Sequence, residues 1–159
     1  MKLYPFALAA AFAFVSTGLR AQSSAPDAPP TEAASAATTT SPTQEQEKAA
    51  QLAAETWLGV VDEGKYDESW RTAASIFQQA VPQDKWVEQV GMVRNAFGKA
   101  SGRKLRVIKY MTSVPGAPDG QYVILQYEAT FENKKNAVET ITPTLDKDGS
   151  WKVSGYYIK

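Results

Sequence analysis

"KLRVIKYMTSVPGAPDGQYVILQYEATF", Lys104 to Phe131, decides the fold. In its first run Leu105, Val107 and Met111 alternate with Ile108 and Tyr110. In its last run Val123, Leu125, Tyr127, Ala129 and Phe131 share one side. Apolar, β-branched and aromatic residues at a period of two mark strands. Between the runs, Val114 to Gly120 holds two prolines, two glycines and an aspartate. A phosphate-cradling loop would need a helix to follow, so that its N-terminus meets the anion. Here strand-like residues flank the loop on both sides. Ala117-Pro118-Asp119-Gly120 fits a type I turn, with Pro second and Gly fourth. The stretch therefore reads as a hairpin connection.

Downstream, "AVETITPTL" (137–145) and "WKVSGYYI" (151–158) continue the pattern. Strands are expected over 104–114, 121–131, 137–145 and 151–158. Short connections make consecutive strands antiparallel neighbours, hence a four-stranded meander. Pro143 cannot donate to a ladder and belongs at an edge or a bulge.

Upstream the period changes to that of a helix, three times. Ala50, Ala54, Trp57 and Val61 share a face, as do Tyr66, Trp70, Ala73 and Phe77, and Trp86, Val90, Val93 and Phe97. Gly64, Pro82 and Gly98 punctuate them, which predicts helices over 45–62, 66–80 and 83–97. The sum is an α+β architecture, three N-terminal helices packed on one face of the meander, in a single domain over 44–159. Tryptophans at helical spacing are core residues first and ligand platforms second.

The preceding residues do not belong to that domain. Residues 1–21 carry Lys2, an apolar run from Leu3 to Val15 and then small and polar residues, the tripartite build of a secretory signal peptide. Cleavage is expected after Ala21, although Leu19 fits the small-residue rule poorly; the alternative is retention as an anchor. Of the 22 residues from Gln22 to Thr43, 19 are Ala, Pro, Ser or Thr, a composition expected to stay disordered. Such a tether spans roughly 25 Å. The expected location is periplasmic or secreted, with no integral membrane domain once the signal is cut.

Composition closes several chemistries. The chain has no His and no Cys, which removes Ser-His-Asp and Cys-His nucleophiles and His- or thiolate-based metal sites. No metal and no cofactor is expected. Residues 44–159 hold 15 basic and 15 acidic side chains, so nothing suggests a nucleic-acid partner. "SGRK" (Ser101–Lys104) matches a Ser/Lys nucleophile motif formally, but it leads into a strand rather than a helix. "DKDG" (Asp146–Gly149) begins like a calcium loop but lacks the ligands further on, and reads as a type I turn with Gly149 left-handed. Asp62, Glu63, Asp67 and Glu68 flank Gly64 and read as a solvated helix junction. Arg103, Lys104, Arg106 and Lys109 make strand 104–114 basic. Strict alternation splits them, Lys104 and Arg106 on one face and Arg103 and Lys109 on the other, so a solvated or edge strand is the first expectation and an anionic-ligand site the second.

Glu139 stands out. It shares strand parity with Ala137, Ile141 and Leu145, so it faces a half-buried side. A carboxylate there needs a partner such as Arg103 or Arg94, or must give up its charge. A structural ion pair is the first expectation, a ligand-binding carboxylate the second and an acid or base the third. Tyr127 is its natural companion in any cavity. Arg103 and the aromatic surface of Trp151, Tyr156 and Tyr157 complete the candidate ligand-binding set of Glu139, Tyr127, Arg103 and Trp151.

"TWLGVVDEGKYDESWRTAASIF", "WVEQVGMVRNAFGKASGRKL", the 114–143 stretch and "DGSWKVSGYYIK" together resemble the bacterial domain of unknown function 4019 family over about residues 50–159. The resemblance implies an exported bacterial protein with a cone-shaped, nuclear-transport-factor-2-like fold, and it implies no activity. The function expected is that of a non-catalytic binding or accessory module of the cell envelope, taking a small molecule, a peptide or an envelope protein. A structural or homodimeric interaction protein is the alternative, and a carboxylate/Tyr enzyme the third.

Overall fold

A computed structural model describes residues 42–159. The signal peptide and nearly all of the tether expected over 1–43 lie outside the described residues. The order of elements is α1 (Pro42–Asp62), α2 (Tyr66–Arg71), α3 (Ser75–Ala80), α4 (Gln83–Phe97), β1 (Ala100–Met111), β2 (Tyr122–Phe131), β3 (Ala137–Leu145) and β4 (Trp151–Ile158). The strands form one antiparallel sheet in the order β1-β2-β3-β4, the expected meander.

The helices number four, not three, and they occupy the middle of the chain rather than its N-terminus. The helix expected over 66–80 breaks at Thr72–Ala74. Ala74 is extended (φ −61°, ψ 149°), and its N–H leaves the helical ladder to donate to Val153 O of β4 at 2.8 Å. The side chain of Gln78 donates to the stranded carbonyls of Trp70, Arg71 and Ala73 at 2.9–3.1 Å. Asp146, from the β3–β4 hairpin, accepts from Ser75 N (2.9 Å) and Ser75 Oγ (2.6 Å) at the start of α3. Partners distant in sequence thus satisfy the groups that a helix break exposes.

The helices cover one face of the sheet. Leu125, Ile141, Val123 and Val153 from the strands meet Ala54, Trp57, Val61, Trp86 and Val90 from the helices, all buried. Each fully buried branched side chain contributes roughly 1.5–3 kcal/mol. The expected core role of the helical tryptophans holds, and each indole N–H is satisfied. Trp57 donates to Ser69 O (2.8 Å), Trp86 to Ser69 Oγ (2.9 Å) and Trp70 to Val81 O (2.7 Å). A second apolar cluster of Phe131, Ala129 and Ala137, with Phe97 and Ile158 against it, lies at the far end.

Of the three register shifts in the described sheet, two bear on Pro143 and on the basic residues of β1. Pro143 sits at a shift of register between β3 and β4, which is the bulge its missing N–H requires. Another shift falls between Leu105 and Val107 of β1, where Leu105 opposes Tyr127 and Val107 opposes Gln126. Arg106 is the extra residue.

The hairpin connections also resolve. Gly149 takes φ 78° and its N–H reaches Asp146 O at 2.9 Å, the expected turn. In the β1–β2 loop the bonded turn is Val114–Ala117 (3.3 Å), with Pro115 second and Gly116 third at φ 81°. That is the type II signature, and it replaces the type I turn expected three residues later. Gly120 N instead donates to Thr112 O (2.9 Å), closing the loop.

Candidate functional site

Glu139 lies on β3 with no exposed surface, the most secluded charge among the described residues. Its Oε1 accepts from Tyr156 OH at 2.7 Å, from Arg103 Nη2 at 3.2 Å and from Arg94 Nη1 at 3.3 Å. Its Oε2 accepts from Arg103 Nε. Both partners named from the sequence are therefore present together. A second carboxylate, Asp62, closes the group. Arg103 Nη1 and Nη2 donate to its two oxygens at 2.6 and 2.9 Å, and Arg94 Nη2 donates to Oδ1. Two carboxylates and two guanidiniums thus balance, and the tyrosine adds a neutral donor.

Five elements supply these groups. Asp62 is the last residue of α1, where a carboxylate opposes the helix dipole, so its placement must be held by partners. Arg94 occupies the last turn of α4, where a cation is favoured, and its guanidinium also lies 5.0 Å from the centre of the Phe131 ring. Tyr156 on β4 packs its ring against Trp57 and Trp86 while its hydroxyl reaches the charges. The cluster therefore joins the two apolar clusters. Arg94 is buried, and Arg103 and Asp62 keep 18% and 30% of their side chains exposed, so the group opens to solvent only at its Asp62–Arg103 edge.

The ionisation behaviour follows from that setting. Burial alone would raise the Asp62 carboxyl, but the adjacent Arg103 and Arg94 outweigh it and hold it below the usual range. Burial, with Glu139 beside it, pushes the Tyr156 hydroxyl well above its ordinary value. Tyr127 is raised by burial and by Glu55.

The other candidates fall elsewhere. Tyr127 sits directly opposite Glu139 in the β2–β3 register, yet its hydroxyl donates to Glu55 Oε1 at 3.2 Å rather than to the cluster. Trp151 is half-buried against the main core at the opposite end of β4. The structure brings Glu139 and Arg103 together, sets Tyr127 beside them with its hydroxyl turned to Glu55, and leaves Trp151 apart. Of the carboxylates around Gly64, Glu63 pairs with Lys65 (2.6 Å) and Asp67 with Arg71 (2.9 Å), whereas Asp62 pairs with Arg94 and Arg103 of the cluster. In the "DKDG" turn, Asp146 is committed to Ser75. Asp148 accepts from Ser150 N (3.0 Å), Ser150 Oγ (2.6 Å) and Lys152 Nζ (2.5 Å).

Every buried side-chain nitrogen and oxygen among the described residues has a hydrogen-bond partner. Shallow depressions mark the surface of the described residues, two of them defined by their lining. One, of about 680 Å³, is lined by Gln83, Asp84, Val87 and Glu88 of α4. The other, of about 230 Å³, is lined by Gly102, Arg103, Lys104, Arg106, Glu128 and Thr130. Glu139 and Tyr127 line neither.

The bulge in β1 corrects the expected split of basic residues. Leu105, Ile108 and Tyr110 all pack on the core, so the extra residue shifts the parity of everything after it. Lys104 faces Glu128, Arg106 bonds Glu128, and Lys109 opposite Ile124 joins them on the face that the described helices leave uncovered. Arg103 alone turns to the buried side.

No curated protein and no solved structure matches the chain. A family model described as "Protein of unknown function (DUF4019)" matches residues 53–156, which takes in α2 to α4, β1 to β3, all five members of the charge cluster, the C-terminal part of α1 and most of β4. The chain belongs to that family.

Proposed function

We propose that the domain is a non-catalytic interaction module of the bacterial cell envelope, exported to the periplasm or beyond. It works through the uncovered face of its sheet on an anionic envelope component. One observation carries this reading. Glu139, the residue best suited to hold a ligand or a proton, has no exposed surface and has all of its acceptor capacity taken by Arg94, Arg103 and Tyr156. A ligand reaching it would have to break a balanced ion cluster, at a cost of several kcal/mol. Helices layered on one face of an antiparallel sheet also suit the nuclear-transport-factor-2-like arrangement that the family resemblance implies.

The outer face is open by contrast. Val107 and Tyr157 are 40% and 51% exposed there, in one cross-strand row with Gln126 and Thr140. Complementation of a strain lacking the protein tests the assignment. Tyr157→Glu should abolish complementation at normal protein abundance, while Tyr127→Phe, which removes only the buried hydroxyl bonded to Glu55, should preserve it. The opposite pattern would place the function in the interior.

A further inference from the structure

Although the chain is neutral overall, its charge is layered. Residues 42–97, the helical half, hold nine acidic and five basic side chains; residues 98–159, the sheet half, hold ten basic and six acidic. The uncovered face concentrates that excess. One cross-strand row runs Lys104, Glu128, Val138 and Lys159, the last pair bonded N–H to O in both directions at 2.9 and 3.1 Å. The next runs Val107, Gln126, Thr140 and Tyr157, with Arg106 beside it. Lys109 opposes Ile124, and Lys152 opposes Thr144. Five basic residues therefore surround a centre of Val107, Ile124, Thr140 and Tyr157; Arg106 is paired with Glu128 and Lys152 with Asp148, so the net positive charge of the face comes from Lys104, Lys109 and Lys159.

We infer that this face binds an anionic lipid surface, basic side chains toward the headgroups and the Val107–Tyr157 row toward the interfacial layer. Three features select this occupant. A tyrosine and aliphatic centre bounded by Lys and Arg is the chemistry of an interfacial contact. Opposite net charge on the two layers orients the neutral chain with this face toward a negative surface. A second copy meeting the first face to face would bring two surfaces of net positive charge together, which opposes the homodimer through the sheet. The β1 bulge is what assembles the face, because without it Lys109 would point into the core.

The inference rests on the proposal that the uncovered face is the working surface. The full chain is to be mixed with vesicles of equal parts phosphatidylglycerol and phosphatidylcholine, and separately with phosphatidylcholine alone; the Leu3–Val15 segment is common to every arm. Preferential, salt-sensitive binding to the anionic vesicles is expected. Each basic residue near such a surface contributes roughly fivefold, so Lys104→Glu with Lys159→Glu should weaken binding by about twentyfold or more. Lys48→Glu on exposed α1 makes the same charge change on the helical layer and should leave binding unaltered. Circular dichroism and sedimentation establish that each variant is folded and report its mass. Equal binding to both vesicles, undiminished binding by the double variant, or self-association of the wild type in place of vesicle binding would each overturn the inference. If vesicles fail to bind while Tyr157→Glu still fails to complement, the lipid assignment falls and the working face stands.

Discussion

Replacing Glu139 by Gln removes one charge from a cluster of four and changes almost nothing in shape. The amide oxygen can still accept from Tyr156 and Arg94. Its NH2 group then confronts Arg103 Nε, donor against donor, and Asp62 is left to balance two guanidiniums. Breaking a buried pair from one side costs about 3–5 kcal/mol. The retained acceptor and the solvent-facing edge at Asp62 put this case near the lower limit, about 3 kcal/mol. A domain of this size has a total stability of roughly 5–15 kcal/mol, so the variant should remain folded but weakened. With a urea dependence of about 2 kcal/mol per molar, the unfolding midpoint should fall by about 1.5 M, read by the fluorescence of the buried tryptophans. Arg106→Gln is the comparison. Its pair with Glu128 is about half exposed on both sides and contributes about 0–1 kcal/mol. Combining Glu139→Gln with Arg103→Gln should cost clearly less than the two single losses added, because the second change removes a cation that the first left uncompensated. A Glu139→Gln midpoint indistinguishable from that of Arg106→Gln would refute the argument, since it would mean that water already reaches the carboxylate.

Two further expectations concern the scaffold. Gly98 ends α4 at φ 76°, ψ −167°, a region essentially restricted to glycine, and an added Cβ would lie 2.9 Å from Glu132 Cβ. Gly98→Ala should therefore destabilise by about 2 kcal/mol, whereas Gly59→Ala, which meets open space within a helix, should be neutral or slightly stabilising in the same thermal melts. Stability should be flat between about pH 5 and 9, because the chain has no His or Cys to titrate there. Asp146 is held down to about 2, chiefly by the Ser75 hydroxyl and N–H, and Asp62 is also lowered. A depressed folded value means stability that is present above about pH 4 and lost as acid protonates these groups. Tyr127 and Tyr156 are raised, so their contribution is present below about pH 10 and lost as the pH climbs beyond it. A maximum near pH 6–7 with losses on both sides within the plateau would contradict this.

Much of the fold was legible because it is local. A period of two over Lys104–Phe131, a period of 3.6 over three upstream stretches, and Gly or Pro at their ends depend only on residues within a turn or a pleat of one another. The core face of β2 and the bulge at Pro143 follow from the same rules. Glu139 could be singled out because strand parity put it among Ala137 and Ile141, and buried charge demands a cation.

Tertiary structure decided the rest. Tyr66, Trp70, Ala73 and Phe77 keep helical spacing across Thr72–Ala74, so nothing local marks the break; it exists because Ala74 bonds to β4 and Gln78 and Asp146 satisfy the ends. Asp62 looked like one of four solvated carboxylates. Its position at a helix C-terminus was the available signal that it needs a partner, but only the arrival of Arg94 from α4 and Arg103 from β1 supplied one. The extra residue in β1 obeys no local rule either. It arises from pairing with β2, and it moves Lys109 from the core side to the open face. Periodicity determines which residues can share a surface, and strand pairing determines whether they do.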